Sequence, residues 1–166
     1  EVAKRCGVYQ FRIAQSQQES DELWAIRRGL SSAIASLVPN RLGEDISVPR
    51  DAFPEVVRRI SAIAEKHRLT IAVYGHAGDG NIHPSVLCDL SKPGEEERVH
   101  RAVEEIFDAA LAVGGTLSGE HGIGITKRPY IAKALGESGV RALGAIKQAL
   151  DPNGILNPGK LIPGGS

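Results

Sequence analysis

The chain has 166 residues, 42% of them hydrophobic, 24% charged and only 4% aromatic, a length and composition that predict one domain or one domain with a small appendage. Lys+Arg and Asp+Glu both number 20, and neither half is polarised: residues 1–68 carry 11 basic and 9 acidic side chains, residues 69–166 carry 9 and 11. That balance lacks the electrostatic footprint selected by nucleic acid or an anionic membrane, and no apolar run approaches the ~20 residues of a transmembrane segment.

Cys6 and Cys88 are far apart and form no CxxC, which argues against a disulfide framework or a zinc finger. Met is absent, so the sequence reads as a piece of a longer protein.

Residues 1–6 resemble the tail of a helix stopped at Gly7, and residues 8–13 have the β-branched and aromatic bias of a strand. Leu23, Ile26, Leu30, Ile34 and Leu37 recur at helical spacing over residues 17–37. Trp24 and Arg27 share a face of that helix, which is read either as a site feature or as a core Trp with Arg at its rim. Residues 46–48 form a short strand. Residues 53–64 carry a second helical stripe (Phe53, Val57, Ile60, Ala64), with Asp51 as its expected cap and Pro54 in the first turn.

Residues 69–74 read as a buried strand. Residues 82–88 read as another, which Pro84 assigns to an edge or a bulge. Residues 95–113 form the clearest helix, with an acidic first turn and a Gly114-Gly115 stop. Two further helices, over about 126–135 and 138–150, precede a Pro/Gly-rich tail. This order predicts an α+β sandwich with helices on one face of an antiparallel sheet. His67 and His100 fall on helices and read as structural or solvated, and Cys88 as a small buried apolar side chain.

Eight of the 19 glycines and three of the five histidines lie in two short stretches, 75–83 and 114–124. Glycine gathers where backbone needs positive φ or close approach, and histidine supplies a metal ligand or a proton-transfer group. The two stretches should therefore converge. If residues 69–74 and 82–88 pair as a hairpin, the loop brings His76 opposite His83, close enough for two imidazoles to share a cation. The alternative is a pair of hydrogen-bonding turn histidines. Glu120 and His121 are neighbours that would face opposite ways on a regular strand, and the flanking glycines permit a kink that aims both at one site. Two imidazoles and a carboxylate suit Zn²⁺, Fe²⁺ or Mn²⁺ with a position left for substrate, although Glu120 is also read as a helix cap. Residues 154–160 fit GxxxxGK, but Leu161 replaces the Mg²⁺-binding Ser/Thr and no room remains for a helix, so nucleotide hydrolysis is rejected.

GHAGDGNIHP (75–84), GGTLSGEHGIG (114–124), LDPNGILNPGK (150–160) and Trp24-Ala-Ile-Arg27 occur here in an order that resembles FAD-linked oxidases and dehydrogenases of the vanillyl-alcohol-oxidase type, in particular the glycolate- and D-lactate-oxidising branch. The resemblance spans nearly the whole chain. It implies the C-terminal, substrate-binding cap domain: residues 1–115 as part of a ferredoxin-like antiparallel sheet with helices on one face, and residues 116–166 as a small C-terminal helical segment. The FAD-binding domain would lie N-terminal to this fragment.

By that resemblance His76, His83 and Glu120 hold a divalent metal, usually zinc, His121 is the catalytic base, Arg27 pairs with the substrate carboxylate and Asn157 contacts the flavin. Ser85 and Gly43 stand where the D-2-hydroxyglutarate enzymes carry a second carboxylate-binding set, which favours a small 2-hydroxy monocarboxylate. The resemblance also implies partners, a second flavin subunit and an iron–sulfur subunit, and a cytoplasmic location peripheral to the inner membrane through them. The competing classes are a metal-dependent hydrolase using the same three ligands and a non-catalytic α+β interaction module.

Overall fold

The computed structural model describes residues 5–7 and 12–162. Most of the strand expected over 8–13 lies outside these residues; Arg12 and Ile13, which are described, pair with no strand. By contact the chain divides into two compact units, residues 1–37 and 38–166.

The first unit contains α1 (Gln17–Ala35), opened by Ser16, whose hydroxyl accepts from the Glu19 N–H. None of its residues is buried, and Trp24 is 58% exposed rather than packed in a core. The helical stripe is present, but it has no interior to face within this unit.

In the second unit, β1 (Asn40–Gly43) and β2 (Ile46–Ser47) are two halves of one broken strand. They are followed by α2 (Phe53–His67), β3 (Thr70–His76), β4 (Asn81–Cys88) and α3 (Glu95–Leu111), then a 3-10 turn (Arg128–Tyr130) and α4 (Ile131–Leu150). β4 is central: β3 pairs along one side of it, and β1 and β2 pair end to end along the other, all antiparallel. An antiparallel bridge from Ser47 to Thr116 adds the start of a fourth position beyond β2. The chain thus runs βαββαβ, with its last strand reduced to one bridge, which is the ferredoxin-like α+β arrangement.

Pro84 therefore lies in the central strand, not at an edge. The break in its neighbour explains why it is tolerated. Its carbonyl accepts from the Glu44 N–H at 2.8 Å, so the missing N–H faces the gap between β1 and β2, where no ladder bond is lost.

One sheet face carries Ile82, Pro84, Val86 and Cys88, and α2 and α3 pack on it. Ile46, Val56, Ile60, Val99, Ile106 and Phe107, all 0% exposed, fill this layer. The N-cap of α2 is Ala52, not Asp51, so its first turn has no side-chain cap; Pro54 falls there instead and removes one N–H that needs none. α2 ends at Arg68, whose left-handed φ of 51° lets its N–H return to Ala64 and Glu65. His67 is structural, 2.9 Å from Glu105 on α3. The predicted pair of C-terminal helices is present within Ile131–Leu150, the two separated at Gly136, whose φ of 64° and ψ of 173° are not helical.

Candidate active site

The opposite face of β4 presents Asn81, His83 and Ser85, and β3 adds Tyr74 and His76 beside them. The register pairs His76 with Asn81 and Tyr74 with His83, so the two histidines are diagonal rather than directly opposed. Diagonal neighbours on one face remain within reach of long side chains, and the imidazole centroids stand 5.6 Å apart at 86°. Residues 77–80 close the hairpin, with the Asp79 and Gly80 N–H groups both donating to the His76 carbonyl. Gly80 is required there: its φ is +83°, and a Cβ would lie 2.0 Å from the Val48 carbonyl oxygen.

The second glycine-rich stretch lies against this hairpin. Its anchor is Asp45, a residue the sequence pattern does not single out. Asp45 is 0% exposed, and its Oδ2 accepts from the Ser118 hydroxyl (2.7 Å) and from the backbone N–H groups of Gly119 (3.0 Å), Glu120 (3.0 Å) and His121 (2.9 Å). Its Oδ1 accepts from Asn81 Nδ2 at 3.0 Å. Lys127, also buried, donates from Nζ to the Asp45 carbonyl at 2.7 Å. Burial would raise the Asp45 carboxyl, but the backbone N–H groups, Ser118 and the Lys127 charge outweigh it and hold the group well below the usual carboxylate range. The Gly119 backbone passes so close that a Cβ would lie 2.2 Å from Asn81 Nδ2.

One carboxylate therefore ties the 118–121 loop to the hairpin and aims Glu120 and His121 at the histidines. Glu120 Oε1 is 3.8 Å from His76 Nε2, and Oε2 is 3.6 Å from His83 Nε2. One donor atom from each of the three residues lies within 4.8 Å of the other two. A tetrahedral cation with bonds of ~2.0–2.2 Å needs ligand separations of roughly 3.3–3.6 Å, so the donors are spaced slightly wider than a bound ion would draw them. Two borderline nitrogens, one hard oxygen and an open side fit a first-row divalent cation that keeps a position for substrate.

His121 joins the same group. Its ring lies 5.7 Å from His83, inclined by 23°, and its Nδ1 is 4.0 Å from Asp45. It is the more accessible of the two, with its side chain 59% exposed against 11% for His83. Burial, followed by the charges of His121 and His76, pushes His83 below the ordinary imidazole value, against the pull of Asp45 and Glu120. A neutral imidazole is the form that donates a lone pair to a metal.

At the far end of this face, Arg41 crosses Gly43: its Nε donates to Ser85 Oγ at 3.2 Å and its Nη2 to the Tyr74 hydroxyl at 2.6 Å. Behind the 118–121 loop, a cavity of about 420 Å³ runs between Glu120, Leu117, Ile123 and α4.

Two expected site residues belong to other segments. Arg27 is part of α1 in the first unit. Asn157 sits in the C-terminal tail with a left-handed φ of 49°, in a segment organised by Asp151, which accepts the N–H groups of Ile155 (3.0 Å) and Leu156 (2.9 Å).

Residues 1–161 match the family described as FAD linked oxidases, C-terminal domain. The chain belongs to this family. It is 42% identical over 160 residues to the glycolate oxidase subunit GlcD of Bacillus subtilis, covering 96% of this chain and 34% of that protein. It is 33% identical over 165 residues to the mitochondrial D-lactate dehydrogenase [cytochrome] of Arabidopsis thaliana, covering 98% of this chain and 29% of that one. A solved 4-ethylphenol oxidase from Gulosibacter chungangensis, in its isoeugenol complex, shares the fold with a TM-score of 0.62 at 22% identity, over 91% of this chain and 32% of that one. The chain thus spans about a third of the length of the relatives it matches.

Proposed function

We propose that this chain is the substrate-side domain of an FAD-dependent dehydrogenase or oxidase of small 2-hydroxy acids, of the glycolate or D-lactate type. The observation that carries the reading is the placement of His121 beside a three-donor cluster, His76, His83 and Glu120, in a member of the FAD-linked oxidase C-terminal family. A bound flavin would supply a hydride acceptor for the substrate Cα, and a divalent metal, zinc by preference, held by His76, His83 and Glu120, would supply Lewis-acid polarisation of the substrate hydroxyl.

His121 takes the hydroxyl proton. Its backbone N–H is fixed by Asp45, while its ring stays accessible. His83 on β4 is buried beneath it, and Glu120 on the same loop is held by the same Asp45 oxygen, so the strand and the loop present their groups from one base. Arg27 supplies a planar fork that matches the substrate carboxylate. Asn157 contacts the flavin from the cap side, and the flavin itself is held mainly by an N-terminal domain.

A monocarboxylate is favoured because Ser85 and Gly43 stand where, by the family resemblance, the D-2-hydroxyglutarate enzymes carry a second carboxylate-binding set. Residues 1–115 belong to the cap sheet and 116–166 to its helical extension. The assembly works with a second flavin subunit and an iron–sulfur subunit, in the cytoplasm and at the inner membrane surface through them.

The test is dye reduction by the full-length flavoprotein with glycolate, D-lactate and D-2-hydroxyglutarate, beside a His121→Ala variant. Turnover with glycolate or D-lactate should fall about 10²–10⁴-fold in the variant, with little change in substrate affinity. Unchanged turnover removes His121 as the base. Turnover only with D-2-hydroxyglutarate replaces the substrate class and turns attention to Arg41. Ester or amide cleavage without flavin would favour a metal-dependent hydrolase instead.

A further inference from the structure

Glu44 takes no part in the cluster around Asp45, although it is the preceding residue. It is 4% exposed, and its backbone N–H is used by Pro84. Its side chain lines a separate cavity of about 290 Å³, walled by Leu42, Val103, Ile125, Pro129 and Tyr130, with Thr126 and His100 as further polar members. Among the described residues no hydrogen bond or ion pair to its carboxyl group is seen, and its oxygens are not among the fully enclosed unpartnered atoms, so they open onto this cavity. A carboxyl this enclosed gives up part of its solvation, which a ligand's donors can restore.

The neighbouring cation does not supply the partner. Lys127 directs Nζ to the Asp45 carbonyl at 2.7 Å and lies 3.5 Å from Asp45 Oδ2. Lys127 is shared between Asp45 and Glu44, so with both carboxylates ionised one surplus negative charge faces a chamber whose walls are mostly apolar. Burial pushes its carboxyl up to about 7, with Lys127 opposing and Asp45 adding to the rise. Such a chamber suits neither an anion nor a purely apolar guest. Its complement is a compact cation with several N–H donors and a hydrocarbon body: the donors satisfy the carboxylate with charge-assisted hydrogen bonds, and the body fills the apolar walls.

We propose that the Glu44 cavity is a binding site for a small primary organic ammonium ion with an apolar body, separate from the metal cluster. The site does not depend on the oxidase reading, since it uses none of His76, His83, Glu120 or His121. Binding is coupled to a proton, because the ammonium requires ionised Glu44. The other titratable or charged groups around the carboxyl are Asp45 on its own strand, His100 on α3, and Lys127 and Tyr130 at the 3-10 turn.

Binding of 4-fluorobenzylamine to the full-length protein, followed by ¹⁹F NMR beside 4-fluorobenzyl alcohol and 4-fluorobenzoate, tests the proposal. At pH 8 the amine should bind saturably and the benzoate should not. Amine affinity should fall by close to tenfold for each pH unit below about 7. Glu44→Gln should weaken the amine at least about tenfold and leave the alcohol within about twofold, while His100→Gln should keep the pH profile. Ile125 lines the cavity yet is 59% exposed, so Ile125→Trp blocks the chamber without disturbing the core and should abolish amine binding even if the Glu44 variant fails to fold. Equal binding of amine and benzoate, unchanged amine binding in either the Glu44 or the Ile125 variant, loss of the pH profile in His100→Gln, or no saturable amine binding at pH 8 overturns it.

Discussion

Asp45→Asn is the most informative single change, because Asp45 joins the 118–121 loop to β4 and to Lys127. Its two oxygens accept from five donors at 2.7–3.0 Å: Ser118, Gly119, Glu120 and His121 on Oδ2, and Asn81 on Oδ1. An asparagine has the same shape but only one acceptor oxygen. With its carbonyl toward the loop, its amide N–H faces Asn81 Nδ2, another donor. Asn81 can turn over, since its Oδ1 is buried without a partner, so the hydrogen-bond pattern survives and the charge does not. Charge-assisted bonds are about twice as strong as neutral ones, and Lys127 loses the carboxylate opposite it. Removing one member of a buried ion pair costs about 3–5 kcal/mol, which is the expected loss in urea unfolding at pH 7. The wild type keeps this contribution above the ordinary carboxylate range and loses it as pH falls through the lower native value, so the two proteins should converge in acid. Lys127→Met in the Asp45→Asn background should recover part of the loss. A cost below about 1 kcal/mol, or strictly additive effects of the two substitutions, would refute the view that this pair clamps the loop.

Glu44 carries the opposite sign. Its native value of about 7 lies above the ordinary 4.5, so the folded state holds the proton more tightly, and stability present below pH 4.5 is lost as pH rises to about 7. The loss amounts to about 3 kcal/mol, and Glu44→Gln should flatten that slope in urea titrations between pH 4.5 and about 8; an equally steep slope in the variant would place the titration elsewhere. Calorimetry with Zn²⁺ should show binding that weakens at least about 100-fold in the His76→Ala, His83→Ala double variant, and equal affinity in both proteins would leave those rings as turn residues. Gly119→Ala should cost about 1–3 kcal/mol in thermal unfolding, because its methyl group collides with Asn81 Nδ2, and a neutral result would mean the loop shifts freely.

The glycine-rich stretches were legible because two independent demands coincide in them. Gly80 and Gly122 have φ of +83° and +75°, which few other residues adopt, and the histidines around them are side chains that can ligate a metal or carry a proton. The helices α2 and α3 were legible from apolar spacing, which reports on burial directly. Trp24 was not, since spacing places it on a face but cannot show what that face meets. Asp45 left no trace in the sequence: a lone acid ahead of a short strand looks solvated until the partners that justify its burial, 36 to 82 positions away, are brought to it. Glu44 is hidden for the same reason, and its missing partner is visible only when the cavity is.

The break at Glu44 and Asp45 also accounts for the unexpected position of Pro84. An unbroken strand beside β4 would require a hydrogen bond that proline cannot give, so Pro84 in the centre of the sheet and the irregularity opposite it are two sides of one solution. The same irregularity frees the Asp45 side chain and carbonyl from regular pairing, and both turn toward Lys127 and the 118–121 loop. A continuous ladder at this position would stabilise the sheet locally but leave the Glu120–His121 loop without its anchor. The weakest point of the strand pairing is thus where the sheet acquires the means to hold a site.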